Sequence, residues 1–306
     1  MTSAVPPKTE ALAPSKRQGF ALAHDQSPIY YRVAGQAEPG RPVIALLDGI
    51  GCDGYIWKYL EPELGRDHLI VHMHYRGHGR TPAPRDRMRV DIVDLADDLD
   101  AVLAEAVGPQ APVFLMGHSM GVQVSLEFFR RYRDRVAGLS LVCGSYGTPL
   151  RTFKGTMALE QLLPFVQVTA GLIPGLLASA WKTIIPTELS FQIATRFEIN
   201  GELIRREDFF PYLEHMARVD TRLFLTMLAA AGRHSAGEVL DQVSAPTLIV
   251  AGDRDGFTPP ELSDEMHRRI PDSELYVIRD GSHSAPIERP VEVTQTIAEF
   301  IRRRVG

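Results

Sequence analysis

The chain has 306 residues, 44% of them hydrophobic and 23% charged, so it can bury a core of its own without disulfides or metals. Its net charge of −5 at pH 7 gives no electrostatic reason to expect nucleic acid or an anionic membrane as a partner, and it favours a small-molecule substrate. The two cysteines, Cys52 and Cys143, are too few for a disulfide framework, so we expect both to be reduced.

The N-terminal segment, residues 1–18, is rich in Pro, Ala, Lys and Thr and contains no continuous apolar run. It therefore lacks the middle region of a secretion signal, and we expect a cytoplasmic location. We predict that these residues form a flexible tail ahead of the folded core.

Short runs rich in Val, Ile and Leu follow this tail, and each ends in or close to Gly or Asp before a helical pattern. This alternation is typical of a mostly parallel sheet flanked by helices. Residues 20–23 and 29–33, separated by a turn sequence at 25–28, predict an antiparallel hairpin at the edge of the sheet. The other predicted strands are residues 42–47, 68–74, 113–116, 138–143, 247–251 and 274–278.

Helical patterns lie between these strands, with apolar side chains at the spacing of a one-sided stripe. The clearest predicted helices are residues 91–107, 122–132 and 291–304. From about residue 148 to residue 235 the strand pattern stops, and a helical pattern broken by Pro and Gly replaces it. We therefore predict a core of residues 19–147 and 236–306, with residues 148–235 as a helical cap inserted between two strands.

One part of this insertion, residues 161–181, contains no charged side chain over 21 positions, about the length of a bilayer span. It contains Pro164 and Pro174, each of which would remove a backbone hydrogen bond where lipid offers no replacement. We therefore predict the buried helices of a lid and no integral membrane segment.

The first catalytic motif is a G-x-S-x-G sequence, Gly117-His118-Ser119-Met120-Gly121, placed between an apolar strand and a helical pattern. A serine held on so sharp a turn needs neighbours without bulky side chains two positions away, which the two glycines provide. Its hydroxyl also needs a base that removes the proton during attack. We expect Ser119 to be a nucleophile.

The base and its orienting acid are sought on loops that follow other parallel strands, because these loops meet at the same rim of the sheet. His283 lies in a turn directly after the last predicted strand, which makes it the candidate base. Asp253 and Asp255 both follow the strand before it, and either could fix the tautomer of the histidine. The local sequence leaves that choice open.

These residues resemble the α/β-hydrolase superfamily, in which the nucleophile comes first along the chain, the acid second and the histidine third. The resemblance covers nearly everything from about residue 19 to the C-terminus. In that family the acid commonly lies in a G-x-x-D-x-x-x-P pattern, which Gly252, Asp255 and Pro259 match. The resemblance therefore implies a catalytic triad of Ser119, Asp255 and His283 on an α/β-hydrolase fold.

Acyl transfer also needs backbone amides that stabilise the negative oxygen of the tetrahedral intermediate. The amide of Met120, the residue after the nucleophile, is one expected donor. The resemblance places the second donor at Ile50, two residues after the position where the family usually has histidine. We expect these two amides to form an oxyanion hole.

The chain departs from the family at two positions and matches its R-G-x-G pattern at residues 76–79. Asp48 stands where the family usually has histidine, and Tyr75 stands where an aspartate often precedes R-G-x-G. An inward-pointing acid would oppose the developing oxyanion. We therefore expect Asp48 to point away and to hydrogen-bond the loop.

In the resembled family such an insertion covers the active site, so its apolar side chains suggest an apolar substrate group, and packing of the cap on itself is an equally good explanation for most of them. These side chains are Leu162, Leu163, Phe165, Val166, Leu172, Ile173, Leu176, Leu177 and Trp181. Polar residues of the insertion lack the tight spacing of a zinc site, so we expect no metal and no cofactor. These polar residues are Asn200, Asp208, Tyr212, His215, Asp220 and His234.

We accordingly expect a serine hydrolase that cleaves a carboxylic ester of an apolar small molecule through an acyl-enzyme. Hydrolysis of a carbon-carbon bond, a lactone, an amide or a thioester on the same triad is the alternative within this fold. A non-catalytic ligand receptor is the alternative outside enzymes. The sequence sets no oligomeric state.

Overall fold

The computed structural model describes residues 17–151, 158–197 and 199–305, and its strands form a single sheet. The spatial order of the strands is β1-β2-β4-β3-β5-β6-β7-β8. The pairs β1/β2 and β2/β4 are antiparallel, and all other neighbours are parallel, as expected. The strands are β1 (Arg17–Leu22), β2 (Pro28–Gly35), β3 (Val43–Leu47), β4 (Leu69–Met73), β5 (Val113–His118), β6 (Val136–Val142), β7 (Thr247–Gly252) and β8 (Ser273–Ile278).

The edge hairpin is confirmed, but it begins earlier than the sequence pattern indicates. Arg17 and Gln18, which we assigned to the tail, pair with Val33 and Arg32 in the β1/β2 ladder. Their side chains are polar, so a hydrophobicity pattern does not identify them as part of a strand. Their backbone groups nevertheless continue the pairing of β1 with β2. The rest of the predicted tail, residues 1–16, lies outside the described residues.

The middle of the sheet is covered on both faces, which is why β3 and β5 are buried along their whole length. Alternate side chains of β3 point to different cores. Ala45 and Leu47 belong to the core formed with helices α2 (Ile92–Val107) and α3 (Met120–Tyr132). The flanking Ile44 and Leu46 pack with α1 (Leu60–Leu64) and α11 (Pro290–Arg304) on the other face. Two further helices, α9 (Pro260–Arg269) and α10 (Ala285–Glu288), complete this part of the chain.

Where the structure describes the chain between β6 and β7, it is mainly helical. Its helices are α4 (Ala158–Leu172), α5 (Pro174–Ile184), α6 (Glu188–Phe197), α7 (Arg206–Met216) and α8 (Thr221–Arg233). Leu163 and Ala170 of α4 pack against Leu225 and Ala229 of α8 in a small separate core.

The expectation that the uncharged run forms buried helices is wrong. Phe165 is 73% exposed, Leu172 is 76% exposed and Leu176 is 68% exposed, and no residue of α5 is buried. The reason is that α4 buries only a narrow stripe, Leu163 and Ala170, against α8, and α5 buries no residue at all, so the outer sides of α4 and α5 have no covering layer. Among the described residues no single helix meets the length and hydropathy expected of a membrane span, although α4 and α5 do so as a pair that is bent by 112°.

Candidate active site

The serine turn has the geometry that the G-x-S-x-G motif demands. Ser119 lies between β5 and α3 with a φ of 56°, in the left-handed region that non-glycine residues rarely occupy. A Cβ atom at Gly117 would lie 2.3 Å from the Gly121 carbonyl oxygen, and one at Gly121 would lie 2.1 Å from the Leu47 carbonyl oxygen. Only glycine fits at either position, so the backbone can hold Ser119 at the rim of the sheet.

The structure brings Ser119, His283 and Asp255 together from the ends of three strands. The Ser119 Oγ atom lies 2.9 Å from His283 Nε2, although the two residues are 164 positions apart. His283 Nδ1 in turn lies 2.9 Å from Asp255 Oδ2. Because the carboxylate can only accept, Nδ1–H is the donor, so Nε2 is unprotonated and can accept the Ser119 hydroxyl proton.

Asp255 is held by its own loop. Its Oδ1 accepts the backbone amides of Phe257 at 2.8 Å and Thr258 at 2.9 Å, while its Oδ2 accepts the Thr258 hydroxyl at 2.7 Å. Asp253, the other aspartate of this loop, is exposed, and its amide donates to the Ile278 carbonyl. The geometry therefore favours Asp255 as the partner of the histidine.

Two further side chains, which no sequence pattern pointed to, support the loop of residues 280–284 that carries His283, called the histidine loop below. His118 donates from Nε2 to the His283 carbonyl at 2.8 Å, and burial lowers the pKa of His118 to about 3. Glu288 accepts the backbone amides of Ser282 and Asn200, each at 2.7 Å, and burial raises its pKa. No sequence signal links these residues, because the His118 contact spans 165 positions and Asn200 comes from the insertion.

Asp48 points away from the serine, but its partner is not the loop that we expected. Its Oδ2 accepts a hydrogen bond from His72 Nε2 at 2.8 Å, toward the neighbouring strand β4. Burial raises the pKa of Asp48, but His72, His74 and Trp57 together lower it by more, so that the net pKa lies below its ordinary value. Tyr75, the second departure from the family pattern, is buried in the larger core, and burial raises its pKa well above the ordinary value.

A mostly apolar cavity of about 80 Å³ lies beside Ser119. It is lined by Ile50, Ser119, Met120, Gln123, Ser145, Pro149, Leu150, Leu228, Ala231, Phe257, Thr258 and His283. Both expected oxyanion donors, Ile50 and Met120, are therefore at the cavity with the serine. Helix α8 contributes Leu228 and Ala231, whereas the apolar side chains of α4 and α5, from which we inferred an apolar substrate, do not line it.

The polar residues of the insertion form separate contacts. Asp208 accepts from Lys58 Nζ at 2.5 Å, and Asp220 caps α8 by accepting the Leu223 amide at 3.0 Å. Within the part of the chain that the structure describes, no group of three or more His, Cys, Asp or Glu side chains could hold a metal ion.

The chain belongs to the α/β-hydrolase family. A family model for the α/β-hydrolase fold matches residues 42–290, which is well over half of the chain. The predicted fold class is confirmed by this match and by the sheet described above.

Individual relatives agree with this assignment. A pimeloyl-[acyl-carrier protein] methyl ester esterase of Neisseria meningitidis serogroup B is 27% identical over 243 residues, covering 79% of this chain and 85% of the relative. A thermophilic esterase from Thermogutta terrifontis superposes with a TM-score of 0.70 at 24% identity, covering 95% of this chain and 100% of that one. The enol-lactonase of Burkholderia xenovorans gives a TM-score of 0.73 at 20% identity, covering 92% and 99% of the two chains.

Proposed function

We propose that the chain is a serine esterase that hydrolyses a carboxylic ester with a short, uncharged acyl group. The observation that carries this proposal is the continuous chain of hydrogen bonds from Ser119 to His283 to Asp255, with both distances at 2.9 Å. Such an arrangement allows an imidazole to activate a hydroxyl that is otherwise a poor nucleophile.

In the first half of the reaction, His283 Nε2 takes the proton of Ser119 while Oγ attacks the ester carbonyl. The carbonyl oxygen becomes an oxyanion and accepts hydrogen bonds from the Ile50 and Met120 amides. The alcohol then leaves with the proton from His283, and an ester bond to Ser119 remains. Asp255 stabilises the positive charge that His283 carries between these two steps.

In the second half, water replaces the alcohol. His283 removes a proton from this water as its oxygen attacks the acyl carbonyl, and the same two amides bind the second oxyanion. Ser119 leaves with the proton from His283, and the products are a carboxylic acid and the free enzyme. Loss of one oxyanion donor in such a site typically costs about 10²–10³ in kcat.

The cavity supports a short and uncharged acyl group. A volume of about 80 Å³ is small for a ligand site, since pockets for drug-sized ligands typically measure about 300–1,000 Å³. Among the described residues, no Lys, Arg, Asp or Glu side chain lines it. The relatives named for a methyl ester and for an enol-lactone are consistent with an ester or a lactone as substrate.

We further assign residues 148–235 as a cap over this site. Leu228 and Ala231 of α8 already line the cavity, and Asn200 of the insertion contacts Glu288 below the histidine loop. These contacts support a covering role for the part of the insertion next to the core.

The test is turnover of p-nitrophenyl acetate, butyrate and octanoate by the wild type and by Ser119→Ala. The variant should lose nearly all turnover, and the wild type should prefer the two shorter esters. Ser179→Ala, an exposed serine of α5, is the matched control and should retain wild-type rates. Unchanged turnover in Ser119→Ala would rule out the mechanism. A lactone, an amide and a thioester in the same panel identify the bond if esters prove poor substrates.

A further inference from the structure

The loop that carries Ile50 has little regular structure to hold it. This loop, residues 48–52, follows β3 and has one internal backbone hydrogen bond, from the Cys52 amide to the Gly49 carbonyl at 3.3 Å. Gly51 has a φ of 77°, which is in the left-handed region. The position of the Ile50 amide therefore depends on contacts from elsewhere in the chain.

Two histidines hold the peptide groups of Gly51, the residue directly after Ile50. The Gly51 amide donates to His78 Nε2 at 3.0 Å, and the Gly51 carbonyl lies 2.8 Å from His215 Nδ1. His78 follows β4 in the core, whereas His215 is in α7 of the helical insertion. The loop is thus held from the core and from the insertion at one residue.

The remaining contacts of both rings fix which nitrogen carries the proton. His78 Nδ1 lies 3.0 Å from the Arg76 carbonyl and must donate to it, so Nε2 is free to accept from Gly51. His215 Nε2 accepts the Gly79 amide at 2.8 Å, so Nδ1–H is the donor to the Gly51 carbonyl. Both rings therefore link the loop to residues 76–79, the R-G-x-G segment.

The insertion is packed closely against the loop at this point. A Cβ atom at Gly51 would lie 3.5 Å from Met216 Sδ and 3.4 Å from the Phe224 ring, both of the insertion. His215 itself is 3% exposed. Trp181 of α5 donates to the Met216 carbonyl at 2.8 Å, which ties α7 to the rest of the insertion without touching the loop.

We propose that His215 is a positioning residue that fixes the oxyanion loop, so that the seating of α7 on the core controls whether the Ile50 amide can stabilise the oxyanion. This inference rests on the proposed function of the site and adds a residue outside the site that regulates the oxyanion hole. His215 contacts neither the serine nor the cavity lining. It acts through Gly51, and its loss should affect the transition state more than substrate binding.

Three variants separate this role from simple packing. His215→Phe keeps an aromatic ring and removes both hydrogen bonds. His215→Asn retains an amide donor near the position of Nδ1 and can restore the bond to the Gly51 carbonyl. Trp181→Phe is the matched control, because it removes a hydrogen bond of the same helix end and leaves the loop contacts intact.

The first readout is kcat and KM on the best p-nitrophenyl ester, with thermal unfolding of each variant. His215→Phe should lower kcat by about 10- to 100-fold, part of the loss of a whole oxyanion donor, with KM nearly unchanged. His215→Asn should recover much of this, and Trp181→Phe should keep wild-type kcat. A wild-type kcat in His215→Phe, or an equal loss in Trp181→Phe, would overturn the proposal.

The second readout is amide hydrogen exchange, which does not depend on turnover. Exchange in residues 48–52 should be at least tenfold faster in His215→Phe than in the wild type, while residues 117–121 remain unchanged. Equal loop exchange in the two proteins would show that His215 does not hold the loop. If the wild type hydrolyses no ester at all, the proposed function fails, and this exchange comparison still decides the positioning role.

Discussion

Replacement of Asp255 by asparagine should reverse the tautomer of His283. The amides of Phe257 and Thr258 both donate to Oδ1, so the side-chain oxygen of the asparagine will keep that position. The new NH₂ group then occupies the place of Oδ2 and donates to His283 Nδ1. His283 must carry its proton on Nε2, where it faces Ser119 and cannot accept the hydroxyl proton.

The size of the effect follows from this reversal. The substitution exchanges one oxygen for an NH₂ group and leaves the two backbone contacts to Oδ1 in place. The Thr258 hydroxyl, which donates to Oδ2 in the wild type, must rotate and accept from the new NH₂ group, so the loop should keep its shape. A triad with the wrong histidine tautomer typically loses about 10⁴ in kcat. At roughly 1.4 kcal/mol for each factor of ten, the barrier should rise by about 5 kcal/mol.

The assay is kcat and kcat/KM for Asp255→Asn on p-nitrophenyl butyrate, with thermal unfolding to confirm that the variant is folded. Asp253→Asn is the matched control on the same loop and should stay close to wild type, because Asp253 is exposed. If Asp255→Asn remains within tenfold of the wild-type rate, or if Asp253→Asn loses activity instead, the assignment of the acid is incorrect.

Three further predictions concern the fold. Gly121→Ala should prevent stable folding or abolish activity, since its Cβ atom would lie 2.1 Å from a backbone oxygen. Gly175→Ala in α5 is the control and should fold and remain active, because a Cβ atom there has no neighbour within 4 Å. Expression yield and turnover of the two variants are the measurements. Leu163→Gln should cost about 2–5 kcal/mol in urea unfolding, because Leu163 is 6% exposed, whereas Leu172→Gln, at an exposed site of the same helix, should cost less than about 0.5 kcal/mol. Equal costs would contradict the exposed face of α4. Burial lowers the pKa of His78 to about 4, so its contribution to stability is complete above pH 6.5 and is lost as the pH falls toward 4. Urea unfolding should accordingly show about 2 kcal/mol less stability at pH 5 than at pH 7 from this residue, and a flat profile would speak against a buried neutral imidazole.

The fold could be predicted because its signals are local. The central strands of the sheet are short apolar runs, and the turn around Ser119 can be predicted from the two glycines, Gly117 and Gly121, that its backbone requires. Helix α9 was not predicted, since it has only two buried apolar side chains, Leu262 and Met266, among its polar residues. The choice of Asp255 over Asp253 came from the family pattern and not from the local sequence.

The rest depends on contacts that sequence patterns do not carry. An uncharged apolar run has the same sequence pattern in a buried helix and in an exposed one, so the exposure of Phe165 and Leu172 could not be predicted. His215 was noted only as a polar residue of the insertion, because its partner Gly51 lies 164 positions away. Asp48 accepts a hydrogen bond from His72 because β4 lies next to β3, and this order of strands cannot be deduced from the local sequence.

Fluorophosphonate labelling followed by peptide mass mapping tests directly whether Ser119 is an activated nucleophile. We expect covalent label on Ser119 in the wild type and labelling slowed by at least a hundredfold in His283→Ala, because the histidine activates that hydroxyl. Label on a different residue, or equal rates in the two proteins, would contradict this expectation.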